Sequence, residues 1–533
     1  MDKALEIGKI SAIGSFHLFL GGVTSTCIMA LGVIVLAQVI TPQEYGLYSV
    51  SLVPSCMIAL FRDWGINAAV TKFIATFKEQ NRKEEICRVV KASIAFEITL
   101  GLTLTILALT TSNFIATVIF KRPEVSTLMM IASTTIFIGA LLTVSQSSFI
   151  GFERMEFSSL INICQAATKT ILSPVLVLIG FRSLGAVIGY MASFLAAATL
   201  GLTLLYITLN KNLKTKIPEI RKKWETIKTL KEMLRYGVPL SVSSIIGGFL
   251  TQLYAFLMAI YCADTFIGNY HVAVQFATIF TFFTIPILTA LFPAFSKINP
   301  QDENNLLKTV FHSAVKYTTM LIVPVTMAVM VFSKQMISIL FGEKWVYAPT
   351  YLTLYAANNL FIIFGGPILG NLLAGIGETK MLMRLSLTTL VCGIPMAYIL
   401  IPSIGIIGLI ITQIVAGFPS LALGLYMLWR RYRMKVSLEE NMKILAASTI
   451  AAIVTFLVVN VITSLYWIEL LFGSVSFFMI YILAVSLTGA IKQADIKNLK
   501  LMFSGLGLLS KLINIPLNMI EEVVNVVPKK FSC

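Results

Sequence analysis

Long apolar runs alternate with short polar segments along almost the whole chain. Each run has about the length, roughly 20 residues, that an α-helix needs to cross the hydrocarbon core of a bilayer. The pattern predicts an all-α, polytopic membrane protein with about 14 transmembrane helices. The predicted spans cover residues 14–38, 46–74, 92–119, 126–149, 157–180, 184–209, 237–262, 268–295, 313–333, 348–373, 384–402, 404–429, 444–465 and 468–490.

Composition and charge distribution agree with this class of protein. Hydrophobic residues make up 57% of the 533 residues and charged residues only 12%, too few for the surface of a soluble chain. If the N-terminus is cytoplasmic, 33 of the 41 Lys and Arg residues lie on the cytoplasmic side and five on the outer side. The net charge of +16 therefore reflects the positive-inside rule rather than nucleic-acid binding. We predict a multi-pass cell-membrane protein with both termini in the cytoplasm.

The polar segments suggest a division into lobes. Residues 210–235 carry nine basic and three acidic side chains, and we interpret them as a cytoplasmic linker between an N-terminal lobe of six spans (1–209) and a C-terminal lobe of six spans (236–430). Two further spans (431–490) and an amphipathic cytoplasmic tail (491–533) follow. We expect the tail to lie along the inner leaflet; docking against the cytoplasmic loops is the alternative.

Short sequence echoes indicate that the two lobes are related. A Gly-x-Tyr motif opens the second span at Gly46 and the eighth span at Gly268, 222 residues later. A second glycine-led motif opens the fifth span at Gly151 and the eleventh at Gly377. Matching elements in the same order and orientation predict a parallel repeat, in which two lobes pack about an axis along the membrane normal with the substrate path between them.

Charged side chains inside the predicted spans are candidate functional residues, because a charge near the bilayer centre costs roughly 2.5–3.5 kcal/mol. Arg62 is a candidate phosphate-binding residue, since a guanidinium forks onto phosphate oxygens, and Asp63 is a candidate for fixing that arginine or carrying a coupling cation. Lys169 is a candidate anion-binding residue and Glu97 a candidate cation-binding residue. Lys72 lies near the cytoplasmic end of its span, where it can snorkel or line an inner vestibule. The alternative is that these groups form structural ion pairs.

Uncharged polar residues add a second set of candidates. Asn358, Asn359 and Gln252 are candidate hydrogen-bonding partners for sugar hydroxyls, although such residues also join helices in membranes. Gly366 and Gly370 form a small-xxx-small pair that is typical of helix packing. The seven Cys and three His residues have no metal-site spacing, and the chain lacks a GxxxxGK[ST] loop. The sequence predicts neither an enzyme nor a bound cofactor or metal.

Several segments resemble a known family. They are LAQVITPQEYGLYSV, FRDWGINAAVTKFIA and SQSSFIGFERM in the first half, and YGVPLSVSSIIGGFLTQ, IGNYHVAVQFA, ALFPAFSKI and ILFGEKW in the second. They are similar to the Wzx-like polysaccharide flippases of the multidrug/oligosaccharidyl-lipid/polysaccharide exporter superfamily, over residues 10 to about 495. One departure is that Tyr254-Ala255 stands where family members often carry an acidic-basic pair.

The resemblance implies a transporter that moves a polyprenyl- or dolichyl-(pyro)phosphate-linked oligosaccharide from the cytoplasmic to the outer leaflet by alternating access. It implies coupling to an H⁺ or Na⁺ gradient and a central cationic cavity, which Arg62, Asp63 and Lys169 fit. We expect a monomer among membrane lipids. One alternative is a multidrug or cation antiporter of the same superfamily, which would favour acidic residues in the cavity. Two others are a membrane-bound polymerase or transferase and a non-transporting scaffold of glycan assembly.

Overall fold

The computed structural model describes residues 2–213, 223–278, 291, 295, 296, 298, 303–461, 465–491, 493–503, 518, 519, 521 and 522. Over these residues the secondary structure is helical, without any strand, as the hydrophobic pattern predicts. Part of the predicted linker (214–222), most of the second half of the predicted eighth span and most of the predicted tail lie outside the described residues.

Contacts divide the chain into two compact units. The first unit comprises Met1–Val272 and Ala397–Leu409, and the second comprises Ala273–Met396 and Ile410–Cys533. The lobe boundaries at residues 209, 236 and 430 remain a prediction from the sequence repeat. The first unit contains α1 (Asp2–Val39), α2 (Pro42–Ala59), α3 (Ile66–Glu79), α4 (Lys83–Phe114), α5 (Val125–Gly151), α6 (Met155–Leu176), α7 (Arg182–Leu213), α8 (Lys223–Tyr261) and most of α9 (Asp264–Ala277).

The second unit is built from the later helices. One of them, α13, contributes its residues Ala397–Leu409 to the first unit. These helices are α10 (Asn304–Phe341), α11 (Ala348–Ala357), α12 (Gly366–Gly375), α13 (Thr379–Tyr432), α14 (Leu438–Val461), α15 (Tyr466–Leu487) and α16 (Gln493–Phe503), with a 3₁₀ turn at Asn358–Phe364 between α11 and α12. Short π-helical segments at Ile115–Ile119 and Val177–Phe181 extend α4 and α6.

Among the described residues, eight helical segments are long and apolar enough to cross a bilayer, or nine if the bent pair α11–α12 is one span. Two segments, Met155–Asn210 and Thr379–Tyr432, contain 56 and 54 residues, and each bends at a glycine with positive φ, Gly180 or Gly405. Each is long enough for two predicted spans, whereas the predicted second span is divided between α2 and α3. The protein is thus a multi-pass helical membrane protein, and a count of fourteen spans remains a prediction.

Helix α2 begins where the sequence ITPQE supplies a capping box. The backbone N–H of Glu44 donates to Thr41 Oγ1 at 3.3 Å, and the backbone N–H of Thr41 donates to the Glu44 carboxylate at 3.2 Å. Pro42 occupies the first turn, where a backbone N–H has no partner within the helix. These local interactions determine where the second predicted span starts.

The starts of α2 and α9 cross each other at their glycines. A Cβ on Gly46 would overlap the carbonyl oxygen of Asp264, and a Cβ on Gly268 would overlap the carbonyl oxygen of Pro42. Arg122 holds the start of α9, since its Nε lies 2.9 Å from Asp264 Oδ1. The contact is reciprocal, so the two Gly-x-Tyr motifs that the sequence relates also pack symmetrically against each other.

A buried ion cluster holds α16 against the second unit. Lys316 Nζ on α10 lies 2.7 Å from Asp495 Oδ2 on α16 and 3.1 Å from Glu440 Oε2 on α14. Lys316 is only 5% exposed, and Ile496, next to Asp495, is 1% exposed in the core that α10, α14 and α15 share. The described first part of the tail therefore packs onto α10, α14 and α15, and its placement along the inner leaflet remains a prediction.

Candidate functional site

The candidate site of the first unit forms around a break between α2 and α3. Gly65 precedes α3 with φ of 79°, a conformation that side-chain-bearing residues rarely adopt. Asp63 Oδ1 accepts hydrogen bonds from the backbone N–H groups of Gly65 at 2.9 Å and Asn67 at 3.5 Å. One oxygen of the Asp63 carboxylate is therefore committed to capping α3, which stabilises the helix start.

Arg62 lies in the same break and points toward Glu97 on α4. Its Nε is 3.8 Å from Glu97 Oε2, and its Nη atoms donate to the Ile136 carbonyl at 3.3 Å and to Thr143 Oγ1 at 3.4 Å. The Glu97 side chain is fully buried and that of Arg62 is 14% exposed. Asn67 Nδ2 donates to Glu97 Oε1 at 3.4 Å. Arg62 and Glu97 are therefore mutual counter-charges inside the helical bundle.

Lys169 on α6 lies in a different environment, among aromatic rings. Its Nζ is 5.2 Å from the centroid of the Tyr190 ring, within the range of a cation–π interaction. Tyr48 packs edge-on against Tyr190 at 6.4 Å between ring centroids, and Phe194 packs against Tyr190 at 5.0 Å. Among the described residues, no carboxylate lies within ion-pair distance of Lys169 and no hydrogen bond engages its amine.

One glycine of α5 lies beside both Arg62 and an aromatic ring of α7. A Cβ on Gly139 would lie 2.7 Å from Arg62 Nη1 and 3.4 Å from the Phe194 ring. The Arg62 guanidinium and the Phe194 ring therefore both border Gly139 on α5, and Tyr190, one helical turn earlier on α7, interacts with Lys169. The structure thus pairs Arg62 with Glu97 and places Lys169 against Tyr190, so Arg62 has a carboxylate partner and Lys169 has none among the described residues.

Two other candidates of the first unit lie apart from these ion contacts. Lys72 on α3 is exposed, and its Nζ lies 3.8 Å from the centroid of the Tyr236 ring on α8. Gln252 on α8 is half-buried, and the structure shows no hydrogen bond for it among the described residues.

Asn358 and Asn359 lie in the second unit, at the bend between α11 and α12. The 3₁₀ turn there and Gly365, with φ of 79°, separate two helices that diverge by 53°. Both side chains line a cavity of about 390 Å³. Gly370 also lines it, and no atom lies within 4 Å of a Cβ placed there. The predicted packing role of Gly370 is thus wrong, because it faces open space rather than a neighbouring helix.

The sequence did not identify several residues that surround the charged candidate side chains. Asn67, Thr143 and Tyr190 contact the charged groups, and Phe194 packs against Tyr190. None of these four residues stands out by hydropathy. A signal was present for Tyr190 and Phe194, since aromatic residues four apart share one face of a helix. Among the described residues, no group of three or more His, Cys, Asp or Glu could hold a metal ion.

The fold and the buried charges define a multi-pass α-helical membrane protein of the fold seen in two solved transporters. Lipid II flippase MurJ in its inward closed conformation superposes with a TM-score of 0.68 and 14% identity, covering 88% of this chain and 98% of that chain. An inward-facing multidrug resistance MATE family transporter of the MOP superfamily superposes with a TM-score of 0.62 and 19% identity, covering 76% of this chain and 95% of that chain. At these identities the likeness concerns the fold alone.

Sequence comparison defines the family. The model described as "Polysaccharide biosynthesis protein" matches residues 11–299, which is more than half of the chain, and the MatE model matches residues 239–399. The chain therefore belongs to the polysaccharide biosynthesis protein family, as the resemblance of its motifs predicts.

Two named relatives match parts of the chain. The probable low-salt glycan biosynthesis flippase Agl15 of Haloferax volcanii is 23% identical over 34% of this chain and 39% of its own length. The lipopolysaccharide biosynthesis protein WzxC of Escherichia coli is 33% identical over 26% of this chain and 28% of its own length. The aligned part of this chain thus spans well under half of either relative.

Proposed function

We propose that the protein flips a polyprenyl- or dolichyl-(pyro)phosphate-linked oligosaccharide from the cytoplasmic to the outer leaflet of the cell membrane by alternating access. The family and the names of Agl15 and WzxC support this proposal. The task is physically suited to such a fold, because the anionic head group cannot cross hydrocarbon unaided while the lipid tail stays in the bilayer.

The observation that carries the proposal is the environment of Lys169. Its amine has no acidic partner among the described residues, although a lysine inside a membrane helix is costly. Structural lysines in such positions are normally paired, so an unpaired one suits a ligand that brings negative charge. Lys169 is therefore the first contact that we assign to the phosphate, and the Tyr190 ring keeps the amine in place between transport events.

The other candidate residues have supporting roles in this proposal. Arg62 reaches the phosphate only when its contact with Glu97 loosens, so Glu97 restrains the second cation and is the candidate site for the coupling ion, H⁺ or Na⁺. Asp63 shapes the start of α3, and Lys72 and Gln252 border the route of the head group. We further propose that the protein acts as a monomer with both termini in the cytoplasm, without enzymatic activity.

A leaflet assay tests the proposal. Proteoliposomes would contain a fluorescent polyprenyl-pyrophosphate oligosaccharide, and a membrane-impermeant quencher would report how much reaches the opposite leaflet. Wild-type protein should accelerate translocation, Lys169→Met should abolish it, and Lys169→Arg should retain part of it because the charge is kept. Lys83→Met is the matched control, since Lys83 is exposed at the start of α4.

The possible outcomes separate the competing functions. Absence of translocation by the wild type under imposed H⁺ and Na⁺ gradients would refute the flippase. The match of the MatE model to residues 239–399 favours a multidrug or cation antiporter as the second candidate, which efflux of an organic cation from the same vesicles would reveal. Equal translocation by wild type and Lys169→Met would support flippase activity but refute the assignment of Lys169 as the phosphate contact.

A further inference from the structure

The cavity of the second unit carries no charge. It lies between the 3₁₀ turn and α12 on one side and the two limbs of α13 on the other, and none of its 17 lining residues is acidic or basic. Its volume of about 390 Å³ falls in the range of small-ligand sites, roughly 300–1,000 Å³. A neutral cavity has nothing to neutralise a phosphate, so its ligand is chemically different from the group assigned to Lys169.

Unused hydrogen-bonding groups line this cavity. The side chains of Asn358, Asn359 and Ser386 make no hydrogen bond to any described residue. The hydroxyls of Thr389 and Ser420 donate to the backbone, at 3.1 Å and 2.9 Å, which leaves their oxygen lone pairs free to accept. Each amide offers both donors and an acceptor. The lining can therefore satisfy a ligand whose own groups both donate and accept.

Rigid apolar surface and empty space complete the cavity. The Phe361 ring is fixed by an edge-to-face contact with Phe418, with 4.6 Å between ring centroids. Gly370 on α12 and Gly417 on α13 both line the cavity, and no atom lies within 4 Å of a Cβ placed on either one. The cavity therefore exists partly because these two positions lack side chains.

We propose that this cavity binds sugar rings of the glycan, so that the second unit recognises the saccharide while Lys169 in the first unit binds the phosphate. Sugar hydroxyls donate and accept hydrogen bonds, which the amides and hydroxyls of the lining match, and the apolar faces of the rings suit a fixed aromatic surface such as Phe361. The inference rests on the proposed function, since it names the part of the same substrate that this cavity recognises.

Native mass spectrometry of the full chain tests this inference. The probes are polyprenyl-pyrophosphate-linked oligosaccharides extracted from the cells that make the protein, and polyprenyl pyrophosphate without sugar. Wild type should prefer the glycan-bearing lipid. Asn358→Leu/Asn359→Leu should lower that preference by about tenfold or more, because several hydrogen bonds are lost at once, while binding of the sugar-free lipid is unchanged.

A cavity-filling variant gives an independent readout. Gly417→Leu places a side chain in the open space and should also reduce the preference, whereas Gly22→Leu, equally uncrowded but located on α1 in the first unit, should not. Unchanged preference in both Asn358→Leu/Asn359→Leu and Gly417→Leu would overturn the sugar site. Stronger lipid binding by the leucine variants, with or without sugar, would also overturn it and assign the cavity to the lipid tail. Failure of the wild type to bind either lipid would instead count against the proposed function.

Discussion

Removing the Arg62 guanidinium would leave Glu97 as a buried carboxylate without its counter-charge. Loss of one partner from a buried pair typically destabilises a protein by roughly 3–5 kcal/mol. The contacts of Arg62 are long, at 3.3, 3.4 and 3.8 Å, compared with about 2.7–2.9 Å for strong charge-assisted bonds. We therefore expect Arg62→Met to lower the free energy of unfolding by about 3 kcal/mol, at the low end of that range.

Glu97→Gln should lower the free energy of unfolding by less than Arg62→Met does, about 1–2 kcal/mol. It keeps the side-chain volume and an acceptor for the Asn67 amide, and the Arg62 side chain retains 14% exposure to solvent. In the double variant neither charge remains unpaired. Its loss of stability should therefore be smaller than the sum of the single losses, with a coupling energy of about 1–2 kcal/mol.

Unfolding by SDS titration in mixed micelles, at neutral pH for all variants, would measure this cycle. The control is Lys78→Met. Lys78 and Glu153 are only 2.7 Å apart but each is more than 40% exposed, so the loss should stay below about 1 kcal/mol. Additivity of Arg62→Met and Glu97→Gln within about 0.5 kcal/mol, or a larger loss for Lys78→Met than for Arg62→Met, would refute the view that burial makes this pair important.

Three further expectations follow from other contacts, each measurable by melting in detergent. Gly46→Val should destabilise the protein by about 3 kcal/mol, because its Cβ would overlap the Asp264 carbonyl. The control Gly22→Ala, whose Cβ meets no atom, should be neutral or stabilising by up to about 1 kcal/mol. Equal changes in stability for the two variants would contradict the close contact between Gly46 and Asp264. Lys316→Met should lower the free energy of unfolding by about 3–5 kcal/mol, because it removes the buried cation that Glu440 and Asp495 share. Lys443→Met should lower it by less than about 1 kcal/mol, because its partner Glu439 is 80% exposed. A loss at Lys316 no larger than that at Lys443 would exclude the buried cluster as an anchor. Burial raises the pKa of the Asp264 carboxyl, although a neighbouring arginine opposes this shift. The folded state therefore binds the carboxyl proton more tightly than the unfolded state does. The contribution of this carboxyl to stability grows as pH falls through the raised pKa. The melting temperature of the wild type should therefore rise relative to that of Asp264→Asn as pH falls from about 7 to about 4. A difference in melting temperature that does not change with pH would contradict the raised pKa.

Much of the architecture was accessible from the sequence. Apolar runs of bilayer length predicted a polytopic helical protein, and its motifs identified the family, which the match to residues 11–299 confirms. The Gly-x-Tyr echo at Gly46 and Gly268 also marked two helix starts that pack reciprocally in the structure. Hydropathy and capping depend on residues that are near one another in the chain, so these features are encoded locally.

Only the tertiary structure decided which charges meet. The sequence placed Arg62, Glu97 and Lys169 in spans but left their partners open, because pairing depends on the rotation and depth at which helices pack. In the folded chain Arg62 is neutralised by Glu97, while Lys169 interacts with Tyr190. The cavity beside Asn358 likewise depends on a 3₁₀ turn facing a distant helix. Hydropathy records how costly a buried polar group is, but only packing determines what compensates that cost.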